Sequence, residues 1–305
     1  MDDCRRVVHY YHANADAFGG RIETPFSQVL PVLAPSSLPV VGGYQSARHE
    51  NFRVGEIISI ERAYTQVAGV FHPGRCGRIG SFSTLVTSVI EGLNVNNTFF
   101  ADRIVVQLAT DHPADLIPDE QDPEGPGRVG FFPRVSLVGS DFTGLRLGTA
   151  TLNAELRLDL FSDGDPNRYP TESWLHNRRF RQFAQNQSEQ YARAATDHPQ
   201  SSRPFLSRIL QRHSDGGPNS DERVEDRGNV IVSVVENIQV DGPFDGIKVG
   251  NMIELSQFGR IFLGELIVDH DSFDLNMVRL DLGCAAAAQT SGPHGSANGT
   301  NTHGG

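Results

Sequence analysis

The sequence predicts a mainly β protein: two related antiparallel β units, sandwich or barrel-like, with an α-helical insertion. Three observations predict it. Leu85–Val95 (LVTSVIEGLNV) is dense in β-branched residues, and most of it returns as Val230–Val240 (VIVSVVENIQV). The shared frame is Ser-Val-(Ile/Val)-Glu-x-(Leu/Ile)-x-Val, a composition that suits a pleated surface. Ser140–Gly148 aligns without gaps on Ser256–Gly264 in the frame Ser-x-Phe-x-x-(Leu/Ile)-x-Leu-Gly, in the same order along the chain. Between these pairs, residues 163–228 lose strand alternation and take up helical spacing. The repeat reads as a duplicated β unit. Its spacings differ, 140 − 88 = 52 against 256 − 233 = 23, so the first copy carries an insertion. Two copies are too few for a solenoid.

In order, residues 1–50 give an N-terminal strand up to Gly19-Gly20, then an extended surface connection marked by Pro31, Pro35, Pro39 and Gly42-Gly43. The first β unit is 51–162. Ile58, Ile60, Val67 and Val70 lie at even or near-even spacing, Phe82–Val95 is the signature strand with its turn at Asn94–Asn97, and Phe99–Leu108 follows. Within this unit an acidic loop, 109–128, carries Asp111, Asp115, Asp119, Glu120, Asp122 and Glu124 among prolines. It offers too little apolar area to offset ordering entropy, so an exposed, mobile loop is expected. The helical insertion and linker are 163–228. Thr171 is placed to cap a helix through Trp174, Leu175, Phe180, Phe183 and Tyr191, and Phe205, Leu206, Ile209 and Leu210 suggest a second, short one. The second β unit is 229–284. Residues 285–305, built from Ala, Gly, Ser, Asn, Thr and His, are expected to form a disordered tail.

The formal charge of −11 argues against general nucleic-acid binding, which needs a basic face. Arginine supplies 25 of the 26 basic residues and Lys248 is the only lysine, a skew that fits a GC-rich bacterial genome. Cys4, Cys76 and Cys284 are odd in number and without metal-ligand spacing, so free thiols are expected. The N-terminus lacks an apolar signal core, and no window approaches the roughly 18 apolar residues of a membrane span. A soluble, cytoplasmic protein with no membrane partner is the expectation.

No catalytic residue is assigned, since no Gly-x-Ser-x-Gly elbow, P-loop or Gly-x-Gly-x-x-Gly is present. Asp269 and Asp271, with Asp274 nearby, are metal candidates that share a strand face, but His270 between them points away. His9 and His12, with Asp16, have helical His-x-x-His spacing in a stretch that does not read as a helix. Both pairs are read as ordinary side chains, so no metal or other cofactor is expected. Asp163-x-Asp165-x-Asn167 opens like a calcium loop but has Arg168 and Trp174 where Gly and Glu belong. Asp111-His112-Pro113 and Asp197-His198-Pro199 read as loop and turn chemistry. Glu91 and Glu236, equivalent in the repeat, read as solvated or Arg-paired groups. The binding candidates are Arg178, Arg179 and Arg181. Between His176 and His213 seven arginines stand against Glu189 and Asp197, a net of +5. They can meet an acidic partner, or the chain's own acids and a subunit contact, which is the favoured reading.

Tyr10–Gly20, Ser83–Val95 and Ala101–Val105 carry a resemblance, over the first half and the final β region, to a group of uncharacterised bacterial proteins. The resemblance implies a bacterial source and no assigned activity. Three functions follow as expectations. The favoured one is a non-enzymatic β-rich binding or structural protein, self-associating or with a protein partner. The second is a hydrolase-like enzyme with a site in the groove between the β units, using Glu91 and Glu236. The third docks on an acidic partner through the Arg-rich helix.

Overall fold

The computed structural model describes residues 7–74, 80–114, 132–162, 169–197, 229–269, 272–283 and 288–303. In chain order its elements are β1 (Val7–Asp16), β2 (Phe18–Ile22), β3 (Gln28–Leu33), β4 (Ser36–Ser37), β5 (Gly43–Val54), β6 (Ile58–His72), β7 (Ser81–Val95), β8 (Phe99–Pro113), β9 (Arg134–Ser136), β10 (Asp141–Thr143), β11 (Arg146–Leu147) and β12 (Ala150–Leu156). Then come α1 (Arg178–Asp197), β13 (Val230–Ser233), β14 (Val235–Asp241), β15 (Gly246–Val249), β16 (Met252–Leu255), β17 (Gly259–Val268), β18 (Ser272–Leu282), β19 (Ala288–Ser291) and β20 (His294–His303).

The strands build two antiparallel sheets, and neither closes into a barrel. One has 11 strands, ordered β15-β16-β17-β18-β19-β2-β3, with β20 between β1 and β18, β4 beside β1 and β13 beside β17. The other has 9, ordered β14-β12-β11-β8-β7-β6-β5, with β9 and β10 beside β8. β1, β18 and β20 pack over β6, β7 and β8. One continuous core fills the gap, and Phe18, Ile90, Leu93, Phe99 and Phe273 are shut off from water in it.

The sheets do not follow the order of the chain. Strands β1–β4 join β15–β20, and the chain changes sheet at Val234, so β13 and β14 lie in different sheets. The two signature stretches therefore sit differently: the first is the single strand β7, and the second is split across the sandwich. Their serines are both structural. Ser88 Oγ donates to the carbonyl of Asp16 at 2.8 Å, tying β7 to β1, and Ser233 Oγ donates to the carbonyl of Leu263 at 3.0 Å.

Three expectations are corrected. The supposed disordered tail forms β19 and β20, and β20 pairs with β1 over its whole length and with β18. The physical reason lies in its alternation: Gly295, Ala297 and Gly299 face the opposite sheet, while Ser296 and Asn298 face out. A Cβ on Gly295 would come within 2.7 Å of Val86 and 3.0 Å of Val106, so only the smallest residue permits this approach. Asp111-His112-Pro113 is the end of β8 rather than a loop, held by the pairing of Ser81–Ser83 with Asp111–Pro113. Residues 115–128 of the acidic loop lie outside the described residues. The helix starts at Arg178, not near Thr171: Asn177 Oδ1 accepts from the Phe180 amide at 3.1 Å and caps it. Residues 205–210, expected as a second helix, lie outside the described residues.

A transverse break crosses the nine-stranded sheet. Asn51 (φ 55°), Gly92 (φ 65°) and Gly144 (φ 63°) adopt left-handed backbone. The register puts Glu61 between the first two and Asp102 between the last two. A Cβ on Gly92 would lie 2.4 Å from the Glu61 side chain, which covers it. At this row the buried face changes phase in step across three strands. It runs Ile58, Ile60 then Ala63, Thr65, Val67 on β6; Val86, Ser88, Ile90 then Leu93, Val95 on β7; and Phe99, Ala101 then Ile104, Val106, Leu108 on β8. Register is kept because all the strands break together.

Candidate functional site

Three clusters of ionisable side chains stand out, and each closes on itself. At the end of β8, Asp111 accepts from Ser83 Oγ at 2.7 Å and Tyr169 Oη at 2.9 Å, and pairs with Arg134. The Arg134 guanidinium lies 4.3 Å from the centre of the Tyr169 ring. Burial opposes ionisation of Asp111, but hydrogen bonds from Arg134, Ser83, Ser81 and Tyr169 outweigh it and hold the carboxyl below its usual range. Burial, then Asp111, pushes the Tyr169 phenol up to about 12.

On the outer face of the eleven-stranded sheet, β1, β20 and β18 bring together Asp16, His294 and Asp274. His294 Nδ1 lies 3.2 Å from Asp16 and its Nε2 3.8 Å from Asp274. Burial disfavours the imidazolium, but the two carboxylates prevail and raise it to about 9. At neutral pH this histidine is a cation and cannot act as a general base. The third cluster is Arg279, which forks onto Glu265 at 2.6 and 3.0 Å, reaches Asp281 at 2.7 Å, and lies 3.7 Å over the Phe262 ring.

Between the sheets, at the end where β1 meets β8, His9 stacks on Phe82 with ring centres 4.6 Å apart, and its ring lies 4.9 Å from that of His112. Burial, and then His9, push His112 down to about 3 against a smaller opposing pull from Asp111. Its Nε2 is buried with no hydrogen-bond partner among the described residues. Tyr11 edges onto the same group. Beside it Phe71, 52% exposed, meets Phe82 with ring centres 5.0 Å apart, and Val41, next to the residue whose carbonyl accepts the Tyr11 amide, is 89% exposed. The group is a packed aromatic cluster, and among the described residues no pair of free carboxylates lies beside it.

A family model described as Domain of unknown function (DUF8256) matches residues 9–269. The chain belongs to that family. No curated protein and no solved structure matches it. The matched span runs from β1 to the end of β17, so the His294 cluster joins Asp16 inside it to two strands beyond it.

The residues singled out from sequence fall as follows. His9 is buried and His12 exposed, three residues apart on one strand and so on opposite faces. Asp269 donates its amide to the carbonyl of Ser272 at 2.9 Å, and His270 and Asp271 lie outside the described residues. Among the described residues no group of three or more His, Cys, Asp or Glu is placed to hold a metal ion. Glu91 pairs with Arg62 at 2.7 Å and Arg103 at 3.9 Å, and Glu236 with Arg157 at 3.4 Å. They are not brought together: β7 and β14 lie four strand steps apart, or about 19 Å at ~4.8 Å per step. Arg179 is taken up by Asp159 and the carbonyl of Ser162, while Arg178 is exposed and Arg181 half-buried. Sequence reasoning misses His294, which lies in the stretch that reads as a tail, and with it the grouping of Asp16 and Asp274 around one imidazole. The alternation of small and polar residues from Gly295 to Asn298 was the available signal.

Proposed function

We propose that this is a non-enzymatic β-sandwich that acts by binding or by building structure, with self-association as its mode. The observation that carries this reading is that the three organised ionisable clusters are saturated by their own members, while large apolar side chains such as Val41, Tyr44 and Phe71 stand exposed. A catalytic site would hold a titratable group poised near neutrality. The shifted groups here lie well away from it, His112 at about 3 and His294 at about 9. The formal charge of −11 supports a protein that does not bind nucleic acid generally. No helix among the described residues is long and apolar enough to cross a membrane. A bacterial source and a cytoplasmic location belong to the same proposal, supported by the arginine skew and the sequence resemblance, as does the duplicated origin of the two signature frames. Sedimentation velocity over a wide concentration range tests it. Concentration-dependent assembly is expected, and a strict monomer throughout would count against self-association.

Docking on an acidic partner through α1 has less behind it. Arg179 and Arg193 already pair with Asp159 and Glu189.

A further inference from the structure

In a chain of formal charge −11 the runs Thr24–Ala47, Ala63–Gly74, Gly80–Ile90 and Ile104–Thr110 contain no Asp, Glu, Lys or Arg. Folding lays much of them side by side. Gly43–Ala47 of β5 pairs with Thr65–Gly69 of β6, these with Thr84–Ser88 of β7, and these with Val106–Thr110 of β8. Charge begins at Arg48 on β5 and at the row Glu50–Arg62–Glu91–Arg103, next to the transverse break, and at Asp111 and Arg134 on the far side.

One side of this block is the core, where Val67, Val86 and Leu108 are fully buried. The next row, Tyr44–Ala68–Leu85–Ala109–Ser136, therefore faces out. It alternates large and small side chains, and its large ones are exposed, Tyr44 by 57% and Leu85 by 39%. Val70, one row on, is exposed by 48%.

Resting on the association reading above, we propose that this charge-free face is an interface between two copies of the chain, packed sheet on sheet. Three features select a second copy. Depletion of charge is the mark of an interface core, and a face without charge gives a charged partner nothing to recognise. Two copies that each carry −11 can approach here without setting like charges against each other. The row is also complementary to itself: Tyr44 and Leu85 stand as knobs, and Ala68 and Ala109 leave the hollows between them. Strands ~4.8 Å apart make the five-strand block about 24 Å wide, and the five paired residues Thr65–Gly69 make it about 17 Å long, so the charge-free rows give about 400 Å², the size of an interface core inside the roughly 800 Å² each partner contributes, with the charged rows around it as the polar rim. Edge-on pairing of β5 is disfavoured, because Asn51 at φ 55° breaks its backbone ladder and Arg48 and Glu50 lie on it.

Leu85→Glu and Ala68→Arg, each in the full chain, put a charge on a knob and in a hollow. Sedimentation velocity is expected to show the wild type assembling, with the dissociation constant raised at least about tenfold in both variants and their thermal melts unchanged. Wild-type assembly should hold or tighten in high salt, which screens the repulsion between like-charged copies. Gln66→Lys, exposed on the same face, replaces either variant that does not melt like the wild type. Assembly that survives the substitutions, or that salt dissolves, overturns this face and leaves the association reading standing. A wild type that stays monomeric overturns both.

Discussion

At the scale of single residues, His112 and His294 give the fold opposite responses to pH. His112 stays neutral to about 3 in the folded chain, so below an ordinary imidazole value of about 6.5 the unfolded chain binds more protons. Its contribution is complete above pH ~6.5 and is lost as pH falls, by up to roughly 4 kcal/mol near pH 3. His294 does the reverse. Raised to about 9 by Asp16 and Asp274, it contributes fully below pH ~6.5 and loses that contribution as pH rises through 9. The upper limit there is ~3 kcal/mol, and the real figure is smaller because the side chain is 29% exposed. Denaturant midpoints measured against pH should therefore fall on both sides. His112→Leu should flatten the acid limb and His294→Gln the alkaline one. An acid limb unchanged in His112→Leu would remove that residue from the account.

At the scale of elements, three strand edges meet different stops. β3 contains Pro31 and lacks a donor there, and Lys248 caps the Ile238 carbonyl on β14. β13 is closed by the helix: Gln187 Nε2 donates to the Ser233 carbonyl at 2.7 Å, and its Oε1 accepts from the Ser233 amide at 2.8 Å. The side chain stands where a further strand would, so Gln187→Ala leaves two buried backbone groups unmet. A loss of about 1–3 kcal/mol is expected, with faster hydrogen exchange at the Ser233 amide than in the wild type; an unchanged exchange rate would show that α1 does not seal this edge. The strands themselves were legible because β-branched residues crowd stretches such as Leu85–Val95. The break at Glu61, Gly92 and Asp102 was not, since in one strand it reads only as lost periodicity, and its sense appears when three strands lose it together. Thr171 and Asn177 both suit the cap by residue type, and the turn at Trp174–His176 that separates them is held by the Trp174 indole, which donates to the Pro133 carbonyl at 2.9 Å and meets the Phe161 ring edge-on.

At the scale of the whole molecule, the last strand holds the first in place. β20 lies between β1 and β18 and supplies the surface that meets β7 and β8, so the sandwich closes only with β20 in place. Sequence reasoning found the fold class and missed this closure for one physical reason. A strand that needs close approach has no large apolar residues to announce it, and its Gly, Ala, Ser and Asn have the composition of a disordered segment. Removing residues 288–303 should therefore abolish the cooperative unfolding transition and the near-ultraviolet dichroism of the packed aromatics. It strips β1 and β18 of a shared neighbour, unties His294 from Asp16 and Asp274, and opens the core over Val86 and Val106. Ala297→Asp makes the same point without shortening the chain. It places an unpaired carboxylate at a fully buried position, at a cost of several kcal/mol against the roughly 5–15 kcal/mol of a typical domain. A tail packed on nothing would tolerate both changes, so a wild-type melt in either variant would refute the closing role of β20.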